Sequence, residues 1–342
     1  MSYLKALFAH GNVADWVAFA GSARAGRIDE DDGVVGQKNA SWQDGGRSDY
    51  YIEAQRIGYQ VVLGGLAGSD SALVSRGLKA IEWGHEPSVL GPNSDWGFNR
   101  EWDDILAHAA HPRTMFAAAS VETVLAILEH DTLRPRLHER AAALVDGIEQ
   151  SAAAYIASGD AERFRTKCVN SSQIVFQATW MQGAYELTGE KDFKIEAKRT
   201  LKAMMDLQLD GGAFGEKTGF DTSYTLQTLR ELVAYRDMLP GKGGGTWHTK
   251  VSSFITRGAD WLLGRVQPDG SIDTTGNSRT AATDAPVKGD FAKGWAIDKS
   301  AISLAQYASA FGRWDELSAT ITAVQNRGQA YDHIGDVVPP AV

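Results

Sequence analysis

Apolar residues recur at i, i+3, i+4 and i+7 along most of the chain, as in PRTMFAAASVETVLAILEHD (112–131) and SSQIVFQATWMQGAYELTG (171–189). Stretches that alternate apolar with polar residues are nearly absent. The pattern therefore predicts an all-α protein. Helices are expected at about 2–20, 49–66, 71–84, 112–129, 134–157, 171–188, 191–208, 222–238, 248–264, 296–311 and 313–327.

These helices group into pairs. Within pairs the connections are short: LAGSDSAL (66–73), LEHDTLRP (128–135), LTGEKDF (187–193) and FGRWDEL (311–317). Tight turns of this kind make the two helices antiparallel neighbours. Between pairs the connections are long and polar, at 21–48, 85–111, 158–170, 209–221 and 265–295. All the long connections then fall at one end of the assembly. Stacked helical hairpins share a continuous core, and long loops gathered at one end suit a closed arrangement better than an open solenoid. The expectation is a single domain over 1–342, an α/α toroid built as an incomplete barrel of about five to six helical hairpins. First helices rich in Ala, Gly, Ser, Thr and Gln would line its axis, and the more charged second helices would form an outer ring.

Composition narrows the function. The chain has 342 residues, is 43% hydrophobic and 23% charged, and carries a formal net charge of -9. That charge argues against nucleic acid as a partner, and an acidic polymer would need a local basic patch. The single cysteine, Cys168, excludes an intrachain disulfide and disfavours a cysteine-based zinc site. DEDDG (29–33) departs from calcium-loop spacing, and GKGGG (241–245) lacks the rest of a phosphate loop. Neither a metal nor a cofactor is expected. MSYLKALFAHGNVADWVAFAG reads as an amphipathic helix and not as a signal peptide, and no membrane partner is expected. The expected compartment is periplasmic or extracellular if a signal peptide has been removed, and cytoplasmic otherwise.

LQLDGGAFGEKTGFDTSY (207–224) and RVQPDGSIDTTGNSRT (265–280) resemble the D-G-[GS]-[FI] turns that precede inner helices in α/α-toroid carbohydrate-active enzymes, and AYELTGEKDF is similar to their hairpin turns. A Tyr opening an inner helix after such a turn most resembles the uronate-cleaving polysaccharide lyases of alginate, glucuronan and hyaluronate type. The resemblance implies β-elimination on a uronic-acid-containing polysaccharide or oligosaccharide. Some of these lyases carry an adjacent Asn-His pair on an inner helix. Here the matching place reads CVNSSQ, with Asn170 but no His after it. The base is left open between Tyr224 and His111.

β-Elimination removes the C5 proton beside a carboxylate and expels the 4-linked sugar, so a second negative charge develops next to an existing one. The site must neutralise the carboxylate, supply a base and protonate the leaving oxygen. A Tyr serves as both base and acid where proton and leaving oxygen share a face, and a nearby cation is needed to favour the phenolate. The resemblance and this requirement together give Tyr224 as acid/base and His111 as assisting base or carboxylate ligand. Asn170 is the expected neutraliser, and Arg279 tunes the phenol or grips the carboxylate. Substrate-binding candidates lie in the same connections and helix starts. They are Arg47 and Tyr50, then Trp96, Asn99, His108 and Arg113, then Arg165 and Gln173, and finally Lys217, Asp221 and Asn277.

Plainer roles compete at several of these positions. Tyr224 suits packing at the helix mouth, Asn170 suits an N-cap, and Pro112 suits a first helical turn that would place His111 at the helix entrance. Two other functions also fit an all-α repeat. One is a glycoside hydrolase pairing Asp221 with Asp44, Asp49, Asp103, Asp104 or Asp284. The other is a non-catalytic glycan-binding protein.

Overall fold

The computed structural model describes residues 2–10, 12–35, 55–86, 106–239, 245–278, 300–327, 331–332 and 335–336, with side chains throughout except at 2, 106–112, 331–332 and 335–336. The described chain is mostly helical. Its helices are α1 (Ser2–Phe8), α2 (Val13–Ala25), α3 (Ile57–Ala67), α4 (Ser71–Gly84), α5 (Leu106–Leu128), α6 (Pro135–Ala142), α7 (Val145–Ala157), α8 (Asp160–Lys167), α9 (Ser171–Thr188), α10 (Lys191–Met205), α11 (Thr222–Asp237), α12 (Thr246–Leu263), α13 (Ala301–Phe311) and α14 (Trp314–Arg327). Short antiparallel ladders join β1 (Gly215–Glu216) to β2 (Gly219–Phe220) and β3 (Tyr331–Asp332) to β4 (Gly335–Asp336).

Burial separates the helices into two kinds. Helices α3, α5, α9, α11 and α13 are buried around most of their circumference, and their buried sets include Ser120, Thr123, Gln177, Thr179, Thr228 and Gln306. Helices α4, α10, α12 and α14 bury a single stripe, such as Val251, Phe254, Ile255, Gly258 and Leu262 of α12. The two kinds alternate along the chain. A helix apolar on one stripe covers its neighbours from outside, whereas one buried all round belongs to an inner layer.

The chain forms two compact units. One contains Met1–Trp16, Val169–Val175 and Arg199–Val342, and the other contains Val17–Cys168 and Phe176–Lys198. In the first unit, α11 packs against α12 and α13, α13 packs against α14, and the N-terminal α1 packs on α13 and α11. The Tyr3 backbone N–H donates to Asp237 Oδ2 at 3.2 Å, and the His10 ring stacks on Trp314 with centroids 4.0 Å apart. The start of the chain is thereby tied to its last hairpin. In the second unit, α3 and α4 form a close hairpin, and α5 packs against α3, α4, α6, α7 and α8. At Gly58 and Gly77 that hairpin is too close for a side chain: a Cβ on either would lie 2.5 Å from the other's carbonyl oxygen.

One turn recurs three times. Gly33, Gly212 and Gly270 adopt φ of +85°, +97° and +81° inside turns closed by the bridges Ile28–Val35, Gln208–Phe214 and Val266–Ile272. A Cβ on these glycines would meet the carbonyl oxygens of Lys79, Arg257 and Ala323 at 2.6, 2.7 and 2.0 Å. In each case the turn follows a helix, precedes a buried one, and presses its glycine against the next amphipathic helix. The DGGAF and DGSI turns are two of the three. The third, DDGVV at 31–35, carries the same Asp-Gly signal, which the comparison with calcium loops obscured.

Several element boundaries differ from expectation. The helix expected at 2–20 is two helices, the first ending at Phe8 and the second beginning at Val13. The expected 134–157 helix divides at Ala143 and Leu144, both still in the right-handed helical region, so the chain tightens there without leaving the helical path. The expected connection 158–170 contains α8, which starts after Gly159 at φ +79°, has Asp160 and Glu162 in its first turn and Arg165 and Lys167 in its last. Those charges match the helix dipole and were the available signal. Helix α5 begins at Leu106, so Pro112 is not in its first turn and His108 and His111 lie within the helix backbone, not at its entrance. Helix α13 begins at Ala301, later than the expected 296. Residues 49–54 of the expected 49–66 helix fall outside the described residues, and α3 begins at Ile57.

Candidate functional site

The connection from α10 to α11 builds the centre of the site. After the DGGAF turn the chain forms the β1–β2 hairpin, with Lys217 and Thr218 at its tip. Lys217 has φ +54°, a left-handed conformation that costs a non-glycine residue roughly 1 kcal/mol. Its backbone N–H donates to Asn170 Oδ1 at 2.9 Å. Asn170 also forms a backbone bridge with Glu216, and its Nδ2 donates to Gln173 Oε1 at 3.1 Å. Asn170 and Gln173 are each 3% exposed.

Glu216 organises this junction. Its Oε1 accepts the Ser172 backbone N–H at 2.7 Å, so a carboxylate from the hairpin caps the start of α9. Its backbone carbonyl accepts from Ser278 Oγ at 2.6 Å. Ser278 also donates its backbone N–H to the Phe220 carbonyl at 2.7 Å, and Phe220 bridges Asn277. Asn277 then spans to the start of α11: its Oδ1 accepts the Thr222 N–H at 3.2 Å and its Nδ2 donates to Thr222 Oγ1 at 3.1 Å. The approaches to α9 and α11 and the segment after α12 are thus joined by side-chain and backbone hydrogen bonds. Gln227 Nε2, donating to the Ser172 carbonyl at 3.4 Å, adds a link one turn into α11.

Tyr224 rises from this junction. It stands on the first turn of α11, partly exposed, between the buried Ser223 and Thr225. Asp221 is the N-cap of the same helix, 1% exposed, and its Oδ1 accepts the Tyr224 backbone N–H at 3.0 Å. The hydroxyls of Ser171, Ser172, Ser223, Thr225 and Thr228 are buried and make no hydrogen bond among the described residues. Both helix starts are therefore supplied with a carboxylate by the protein itself, Glu216 at α9 and Asp221 at α11. Lys217, at the hairpin tip between them, is exposed.

The structure thus brings together Asn170, Gln173, Lys217, Asp221, Tyr224 and Asn277, all in the first unit. It adds Glu216, Ser172, Thr222, Gln227 and Ser278, which sequence reasoning missed. The signal for Glu216 was the two-residue tip between GE and GF, a hairpin pattern in a chain otherwise read as helical.

Arg113 and Arg165 belong to the second unit and have partners there. Arg113 lies 3.7 Å from Asp160 Oδ2 and over the Tyr155 ring at 5.2 Å, and burial lowers its guanidinium to about 10. Burial pushes the Tyr155 phenol well above its ordinary value, against the opposing pull of Arg113. Arg165 Nε donates to Glu196 Oε1 at 2.9 Å, and that oxygen also accepts from Gln177 Nε2 at 3.1 Å. Arg47, Tyr50, Trp96, Asn99 and Arg279 lie outside the described residues, as do the side chains of His108 and His111.

A cavity of about 740 Å³ in the second unit is lined by Arg76, Lys79, Arg136 and Arg140, but three of these are occupied. Arg76 donates to the Ile28 carbonyl and to Glu30, Lys79 to the Glu30 and Asp31 carbonyls, and Arg140 to both oxygens of Glu82. Among the described residues no group of His, Cys, Asp and Glu is arranged to hold a metal ion, and no helix is long and apolar enough to cross a membrane. Comparison with protein-family models, with curated proteins and with solved structures returned no match for this chain.

Proposed function

We propose that the chain is a polysaccharide lyase that cleaves a uronic-acid-containing polymer by β-elimination on a single-domain α/α toroid. The observation that carries this reading is the junction around Glu216, which joins the approaches to α9 and α11 and the segment after α12 beside a partly exposed Tyr on the first turn of an inner helix. The toroid is supported by the alternation of all-round-buried with one-stripe helices, by the recurring glycine turn, and by the packing of α1 on α13.

In this reading Tyr224 abstracts the C5 proton and returns a proton to the leaving oxygen. Asn170 offers the substrate carboxylate the Nδ2 hydrogen that is not donated to Gln173, and Arg279 or Lys217 provides the cation that favours the phenolate. Lys217 and Asn277, the less buried polar side chains of the junction, bind the sugar chain. The lyase reading is preferred to a hydrolase because Asp221, the carboxylate a hydrolase would use, is buried and capping α11.

The test is a panel of alginate, glucuronan, hyaluronan and pectate followed at ~235 nm, where the unsaturated product of elimination absorbs. Rising absorbance on one polymer supports the reading. Reducing ends released without that absorbance favour a hydrolase, and binding without turnover favours a glycan-binding protein.

A further inference from the structure

We infer that Glu216 is a positioning residue of the site, acting through Asn170 and the segment 277–278. This rests on the reading of the junction as an active site. Three of its connections run to different parts of that junction. Its carboxylate holds the first turn of α9 through Ser172 N–H, its backbone pairs with Asn170, and its carbonyl holds Ser278 Oγ. The residue after it, Lys217, fixes the Asn170 side-chain oxygen, which determines where the Asn170 amide points.

The geometry explains why a carboxylate stands there. Glu216 is 1% exposed, and burying a charge is costly unless it is hydrogen-bonded. The N-terminus of α9 offers N–H donors and the positive end of the helix dipole, so the charge is met where it lies. The same bond fixes the hairpin against α9 and so keeps Lys217 within reach of Asn170 despite its left-handed backbone. An amide at 216 would keep the acceptor and the shape but lose the charge assistance. An alanine would lose both. Misplacing a substrate-contacting group by about 1 Å costs roughly 10²-fold in rate, so the effect should appear in kcat more than in KM.

The experiment compares wild type, Glu216→Gln, Glu216→Ala, Asn170→Ala and Glu216→Ala/Asn170→Ala in two measurements. The first is amide hydrogen exchange over 169–175 without substrate, with urea midpoints recorded alongside. The second is kcat and KM on the polymer that gives the ~235 nm product. Exchange over 169–175 is expected to speed up in Glu216→Ala and to be largely restored in Glu216→Gln. The kcat of Glu216→Ala is expected to fall roughly 10²-fold with KM changed less, Glu216→Gln to recover most of it, and the double variant to be no worse than Asn170→Ala.

Unchanged exchange over 169–175 in Glu216→Ala would overturn the proposal. So would kcat losses that add in the double variant, or an activity loss matched by global unfolding at the assay temperature. If wild type forms no unsaturated product, the lyase reading fails by that result. The exchange comparison, made without substrate, then decides separately whether Glu216 orders the junction.

Discussion

Glu216 caps a helix from far along the chain, its carboxylate oxygen 2.7 Å from the backbone nitrogen of Ser172, 44 residues earlier. Helix starts leave their first N–H groups without internal partners, and a cap normally comes from the residue just before. Asn170 holds that place at α9, yet its side chain is turned to Lys217 and Gln173. With the cap supplied from a distant hairpin, the amide of Asn170 is committed to the junction and not to the helix it precedes. At α11 the arrangement is the usual one, with Asp221 capping locally.

If Tyr224 is the acid/base, Tyr224→Phe removes one hydroxyl from a partly exposed position and leaves the ring in place. Elimination is expected to slow by roughly 10²–10⁴-fold with KM little altered, since general acid–base catalysis contributes about that much. Steady-state rates at ~235 nm measure it. Full activity in the variant would remove Tyr224 from the mechanism.

Asp221 separates the lyase from the hydrolase. As an N-cap it is replaceable: Asp221→Asn should keep both fold and activity, and Asp221→Ala should cost about 1 kcal/mol in a urea titration. As a catalytic carboxylate it would not be, and Asp221→Asn would then lose ~10²–10⁴-fold in rate.

The all-α character was legible because it rests on periodicity, which each segment carries by itself, and the α3–α4, α5–α6 and α13–α14 pairs were legible because their connections are short. The candidates Asn170, Gln173, Lys217, Asp221, Tyr224 and Asn277 were legible because polar residues cluster where helices start. The role of Glu216 was not legible. Its partner Ser172 is distant in sequence, and nothing local distinguishes a carboxylate that caps another helix from one that faces solvent. Helix α8 was passed over because its SGDAERFRTK stretch is too polar to show an apolar stripe, although its charges follow the dipole. The start of α5 is hidden in the sequence because Pro112 suits a first helical turn, whereas the helix begins at Leu106.

The recurring glycine turn predicts a graded stability series. Gly270→Ala places a Cβ 2.0 Å from the Ala323 carbonyl oxygen at φ +81°, and Gly212→Ala places one 2.7 Å from that of Arg257. Each combines left-handed strain with a backbone clash and should cost roughly 2–4 kcal/mol. Gly159→Ala, at φ +79° with no atom within 4 Å, carries the strain alone and should cost about 1 kcal/mol. Urea midpoints for the three variants give the order directly, and equal losses would show that the contacts with Arg257 and Ala323 do not matter.

Acid sensitivity should trace in part to His85. Its ring packs 5.4 Å from Phe116, its buried Nε2 has no hydrogen-bond partner among the described residues, and burial lowers its imidazole to about 4. In the unfolded chain it would titrate near the ordinary value of about 6.5. The folded state therefore binds fewer protons between these values, and stability must fall as pH falls. The contribution is fully present above about 6.5, declines through the interval, and is lost below about 4, for a total of at most roughly 3 kcal/mol. His85→Met removes the titrating group whatever it does to absolute stability. Urea titrations at several pH values across this window should show wild type losing more stability than the variant, and parallel curves would exclude His85 as a source of acid sensitivity.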